Sequence, residues 1–290
     1  PVLPNLYVIA LSVSEYKDKR YNLQYAVKDG RDMANLFGSL PDAKEEGPFE
    51  KISLDTLFNE RATREQFFKL KKKLLNTKPD DLIVVFISGH GLLDENMDFY
   101  YATWDMDFTD PAAMGISYND LEGLLDSIPA RKKLLMMDAC HSGEVDEEIS
   151  GLNTTDNVEN EEVAFRGVVK TYESSRGSGE NKSLPGISAS TTFDIMQEVF
   201  AGLDKGTGTN VISASAGTGY ALESEEWNNG IFSYCVIYGM SNAEADLNQN
   251  GIITVSELKK YVITKVEQMT RGRQKPNARR ETGEFDWKIW

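Results

Sequence analysis

The sequence predicts an α/β domain in which a mostly parallel central sheet is sandwiched between helices. Three observations point there. Apolar, β-branched runs alternate with segments of helical periodicity along most of the chain. Two of those runs, "DLIVVFISGHG" from Asp81 and "KKLLMMDACHSG" from Lys132, are almost continuously apolar until a cluster of small and reactive residues. The chain's 290 residues at 40% hydrophobic composition are enough to bury one large core.

Taken in order, "NLYVIALSVS" (5–14) is apolar enough for a buried strand, and "AVKDGRDMANLFGSL" follows with Val27, Met33, Leu36 and Phe37 at helical spacing. "FEKISLDTLFN" alternates as a second strand. "ATREQFFKLKKKLL" is a helix with Thr63 as N-cap and a Phe67, Leu70, Leu74 stripe; its three lysines form a solvated face. The next strand covers 82–87 and is expected to stop at a turn, Ser88-Gly89-His90-Gly91. "MDFYYATWDMD" reads as a hairpin or edge strand. "SYNDLEGLLDSI" is a helix that Ser117 and Asp120 close with a capping box. The strand over 133–137 is expected to stop at Asp138-Ala139-Cys140. In such sheets the site lies at the carboxyl ends of the strands, which is where this reading puts His90 and Cys140.

Residues 144–208 are acidic, rich in Ser, Asn and Gly, and without periodicity. They read as a flexible linker between a larger part, 1–143, and a smaller one, 209–290. The smaller part resumes with "TNVISASA" (strand), "GIFSYCVIYGM" (helix), "TVSELKKYVITKVEQMT" (helix) and "GEFDWKIW" (a last strand).

A net charge of −15 argues against a nucleic-acid partner and is compatible with basic peptides or calcium. No apolar run is long enough for a membrane helix, so no membrane partner is expected. Two cysteines make no disulfide framework, which predicts a reducing, cytoplasmic setting. Cys235 lies on an apolar helical face and reads as a core thiol. The chain starts at Pro1, as a processed form or a piece of something longer would, and a sensor or adaptor region is a candidate partner.

The remaining thiol carries the chemistry. A cysteine attacks as thiolate and needs a base or a positive charge nearby. His141 is adjacent in sequence, and neighbouring side chains on an extended turn point apart, so His90 is the better partner. The N–H groups of Gly91 and Cys140 are candidates for an oxyanion hole. A Cys–His pair with such donors is equipment for acyl transfer, most simply peptide hydrolysis.

"SGHG" followed by "DACHSG", with Cys140 fifty positions after His90 (140 − 90), resembles the caspase–metacaspase group of cysteine proteases. Asp138 before Ala139-Cys140 makes it similar to metacaspases and bacterial orthocaspase-type domains rather than animal caspases. "NLYVIALSVSEY", "YAVKDGRDM" and "NGIFSYCVIYGM" look like the family's first strand, first helix and small-subunit helix. The resemblance implies a caspase-like fold, with His90 as general base and acid and Cys140 as nucleophile. It also implies cleavage after Arg or Lys, with Asp29 and Asp138 in the pocket for the basic residue. It implies self-cleavage within the linker too, where Arg166, Lys170, Arg176 and Lys182 are the basic sites. "ESEEW", from Glu223, is expected to border the substrate groove.

"DLNQNGIITVSE" fits a calcium-loop pattern, with Asp246, Asn248, Asn250, the carbonyl of Ile252 and Glu257 as ligands and Gly251 at the turn. The chemistry itself calls for no cofactor. The acids Asp94, Asp98, Asp105 and Asp107 do not reproduce the calcium cluster of metacaspases. Two other functions fit the same residues less directly. One is a catalytically silent or latent calcium-responsive interaction module on this fold; the other is a cysteine hydrolase or transferase acting on something other than peptides.

Overall fold

The structure, a computed structural model, describes residues 2–94, 96, 98–142, 163–166, 209–214, 221–278 and 286–290, with the backbone alone for 140–142 and 163–166. Among these residues the main sheet has eight strands. Six of them run in the order β11-β8-β6-β3-β1-β2, where β1 is Leu6–Ser12, β2 Ile52–Phe58, β3 Leu82–Leu93, β6 Lys132–Ser142, β8 Thr209–Ser213 and β11 Asn277–Ala278. The pairs β1/β2, β1/β3, β3/β6 and β6/β8 are parallel. Short β4 (Phe99–Tyr101) folds back antiparallel onto β3, and β5 (Ile116–Ser117) onto β4.

Period-two alternation splits the strand residues between two cores. Ile9 and Leu11, Ile83 and Val85, and Leu135 and Met137 face α2 (Arg64–Leu74) and α4 (Tyr118–Leu125). Leu6 and Val8, Val84 and Phe86, and Leu134 and Met136 face α1 (Ala26–Gly38), α5 (Ile231–Ser241) and α6 (Val255–Met269). Strands covered on both faces must be apolar throughout, which is why β3 and β6 were so plain in the sequence. Between β5 and the preceding loop lies a single turn, α3 (Pro111–Met114).

The caps form as the sequence predicts. Thr63 accepts from the Gln66 N–H, and Ser117 with Asp120 makes a reciprocal box at α4. The final stretch differs from expectation. Among its described residues, Asp286–Trp290 make no strand; Lys288 forms a single bridge with Thr254, and the Val255 N–H donates to the Trp287 carbonyl. The β8 edge of the sheet is taken by β11, a pairing no sequence pattern announced. The tail instead lids the start of α6, with Ile289 buried against it.

The segment 144–208 also differs. Its described piece, Val163–Arg166, is a strand (β7) paired antiparallel with β9 (Ala221–Ser224), whose other edge carries β10 (Asn229–Gly230).

Candidate active site

β3 and β6 outrun the rest of the sheet. β1 accompanies β3 only to Ser12 and Ser88, and β8 accompanies β6 only to Ser213 and Met137. β3 and β6 continue together to Leu92 and Ser142, with His90 paired to Cys140. The turns expected at Ser88–Gly91 and Asp138–Cys140 are therefore absent. The extension is held because β4 takes over the edge of β3 that β1 leaves, from Gly91 onward, so the backbone keeps partners on both sides.

His90 is 4% exposed and held at two points. Its backbone N–H donates to the Tyr16 hydroxyl at 3.0 Å, and its ring Nε2 lies 2.8 Å from the Tyr21 carbonyl. A carbonyl only accepts, so Nε2 carries the proton and Nδ1 is the basic position of the ring. Tyr21 is itself fixed by stacking on Phe108, with ring centroids 3.7 Å apart. Gly89 lets the strand pass these aromatics. Its φ is +153°, and a Cβ there would meet the Tyr16 hydroxyl at 2.9 Å and the Tyr101 hydroxyl at 3.1 Å. Gly91, expected in the oxyanion hole, sits inside β3 between Tyr101 and His141.

Alternation that sends Val84 and Phe86 toward α1 sends Ser88 there too, and it sends Asp138 toward α5. Both Asp29 and Asp138 are fully buried. Asp29, in the first turn of α1, accepts from the Asn229 side chain at 2.8 Å, the Gly230 N–H at 3.0 Å and the Ser88 hydroxyl at 3.4 Å. Asp138 accepts from Ser233 at 2.5 Å and pairs in register with Ser88. Ser88 and Asp138 lie two residues before His90 and Cys140 on the same strands, and Ser88 donates to the carboxylate of Asp29 on α1. Buried carboxylates persist only with such donors. Tyr16, the Tyr21 carbonyl, Ser88, Asn229, Gly230 and Ser233 were missed in the sequence. Most act through backbone atoms or small hydroxyls, which leave no motif.

The stretch from Glu223 to Trp227 begins on β9, beside the strand whose Asn229 and Gly230 donate to Asp29. Glu223 is buried on β9, opposite Gly230, and accepts from the Gln24 N–H at 3.2 Å. Of the basic linker residues, Arg166 ends β7; Lys170, Arg176 and Lys182 lie outside the described residues.

In the loop over 246–257, Asp246 accepts from the Asn250 and Gly251 N–H groups, and Asn250 from Ile252. Asn248 also accepts from the Asn250 N–H. Glu257 accepts from the Asn248 N–H and caps α6 through Thr254. These bonds hold the turn by themselves, and among the described residues no group of three or more His, Cys, Asp or Glu gathers at a point. Asp94 and Asp107 likewise cap local turns, through Asn96, Asp98 and Thr109.

Cys235 is fully buried, and burial pushes its thiol up to about 12. It stays protonated and enclosed at neutral pH, so iodoacetamide should leave it unmodified in the native protein and label it only after denaturation. Peptide mapping showing native modification of Cys235 would contradict its place in the core.

A model of the caspase domain family matches residues 7–285. The chain belongs to the caspase-domain family. The family is one of cysteine peptidases, and the mixed, mostly parallel sheet of this caspase domain is the fold expected of it. Among solved structures, the chain is similar to the crystal structure of protein GSU0716 from Geobacter sulfurreducens. The TM-score is 0.59 at 17% identity, covering 99% of this chain and 98% of that one. At that identity the likeness shows the fold alone. No curated protein matches the chain. Among the described residues, no helix of this caspase domain is long and apolar enough to cross a membrane.

Proposed function

We propose that this caspase domain is a cysteine endopeptidase that cuts after Arg or Lys with His90 and Cys140 as its catalytic pair. The observation that carries the reading is the pairing of His90 with Cys140 on two strands that project beyond the sheet, with the His90 ring held by the Tyr21 carbonyl. In this reading Nδ1 of His90 takes the Cys140 proton, and the thiolate attacks the substrate carbonyl carbon. The Cys140 N–H receives the oxyanion, whereas Gly91, also expected in that role, is held between β4 and β6 inside β3. The amine leaves with the proton from His90, and water then hydrolyses the thioester with His90 as base.

Asp29 and Asp138 supply the preference for a basic residue. Two carboxylates in a poorly solvated corner reward a guanidinium or ammonium and repel an acidic side chain. Base and nucleophile are both side chains of this chain, so we assign calcium no step. Calcium at Asp246, Asn248, Asn250, Ile252 and Glu257 would act on the fold of that loop alone.

The test is hydrolysis of fluorogenic tetrapeptides ending in Arg, Lys or Asp, with calcium or with chelator. Arg and Lys peptides should be cleaved in both conditions, with Asp at least about 100-fold slower, as a desolvated like-charge contact predicts. Equal turnover after Asp would defeat the specificity. Loss of activity in chelator would make the loop over 246–257 a regulatory site. No turnover at all, with peptide still bound, would favour the interaction module.

A further inference from the structure

β2 is an outer strand of the main sheet, with β1 on one side and, among the described residues, no strand on the other. Parallel pairing fixes which of its backbone groups are committed. The Leu6 N–H donates to the Lys51 carbonyl, and Leu6 lies opposite Ile52, so residues 51, 53, 55 and 57 bond to β1. Ile52, Leu54 and Thr56 turn their N–H and C=O groups away from it. The side chains divide in the same way. Ser53 and Asp55 face α2, where Lys73 donates to both. Ile52 and Leu54 face α1. Ile52 packs against the core there, whereas Leu54 lies over Gly38 and is still 45% exposed.

A row of open donors and acceptors is a template for another strand, and edges are commonly blunted by a proline, a bulge or a free charge. β2 contains no proline, its one charged residue, Asp55, is paired with Lys73, and an exposed leucine sits at the middle of its open row.

We propose that β2 pairs antiparallel with β2 of a second copy of this chain, about a two-fold axis through Ser53, joining two sheets into one. Three features select that partner and that register. Ile52 lies opposite Leu54 of the second copy, both with open backbone groups, so the two exchange both hydrogen bonds and their apolar side chains meet on one face. On the other face the exposed Lys51 stands across from Asp55 of the second copy, twice by symmetry, at the closely spaced positions where side chains approach best. An axis through Asp55 would instead set two aspartates against each other, and one through Leu54 would set Lys51 against the buried Leu57. Finally, Lys51 and Lys73 bring positive charge to this edge of a chain whose net charge is −15, which lowers the repulsion between two copies there.

Antiparallel pairing turns the second sheet end for end. The strand ends that carry His90 and Cys140 therefore open at opposite ends of the joined sheet, and β1 stands between the contact and β3.

The contact is short, so the dimer should be weak and concentration-dependent. Sedimentation equilibrium of the full chain, from micromolar to millimolar, should show the mass rising from 32.5 kDa towards twice that value. Lys51→Glu and Asp55→Lys should each raise the dissociation constant about tenfold or more, since each sets like charges opposite one another at two places. Mixed together, the two variants should associate as tightly as the parent, because each supplies the charge the other lacks. Thermal denaturation checks that both are folded. Should Asp55→Lys be unstable without its bond to Lys73, adding Lys73→Glu keeps that pair with its signs reversed. A parent that stays monomeric throughout overturns the proposal, whether or not its edge binds an extended peptide from another protein. So does a dimer that neither variant weakens, or one that mixing does not restore.

Discussion

His90→Asn should slow turnover of an Arg-terminated peptide by about 10²–10⁴-fold, the usual contribution of a positioned acid–base group, with little change in KM. Asparagine's amide matches the Nδ1 edge of the ring and stops short of the Tyr21 carbonyl that receives Nε2–H at 2.8 Å. Some thermal stability should therefore be lost, while the backbone N–H at position 90 keeps its bond to the Tyr16 hydroxyl. What asparagine cannot do is take a proton from a thiol. Cys140→Ala should reduce turnover further, to background, because no second nucleophile is available: Cys235 is enclosed and its thiol pushed up to about 12. Steady-state kinetics with a matched thermal denaturation curve decide the matter. An Asn variant within about threefold of the parent, far short of what loss of a general base costs, would remove His90 from the mechanism.

The second large effect is on specificity. Asp138→Asn should lower kcat/KM for an Arg peptide by about 100-fold, or roughly 3 kcal/mol, the cost of removing one partner from a buried charge pair. The same change should barely affect a citrulline peptide, whose side chain has the shape of arginine without its charge. An amide can still accept from the Ser233 hydroxyl, so the contact between β6 and α5 is kept. Asp29→Asn should act in the same direction. It also holds the Gly230 N–H and the Asn229 side chain, so some loss of thermal stability should accompany it. The discriminating quantity is the Arg-to-citrulline ratio. If both peptides slow equally, the carboxylates serve the fold and the basic preference has another source.

Much of this protein was legible in the sequence. Strand–helix alternation and the unbroken apolar runs of β3 and β6 determined an α/β sheet covered on both faces. Thr63, Ser117 and Asp120 announced their helix starts because capping is a local hydrogen bond between residues three positions apart. The burial of Cys235 followed from helical spacing, and the family was readable from the residues around His90 and Cys140. Local periodicity and side-chain chemistry carry that information.

Tertiary structure alone decided the rest. Small and polar residues look like turns, yet β3 and β6 run straight through theirs because β4 and the β3–β6 pairing supply backbone partners from elsewhere in the chain. The proton on His90 is placed by a backbone carbonyl, and any residue at position 21 has one. Asp29 meets Asn229 and Gly230 across 200 and 201 positions, and Val163–Arg166 becomes a strand only because β9 presents an edge to it. Sequence determines which residues prefer to be strand, helix or interior. Which backbone groups find each other across the fold is a property of the assembled sheet.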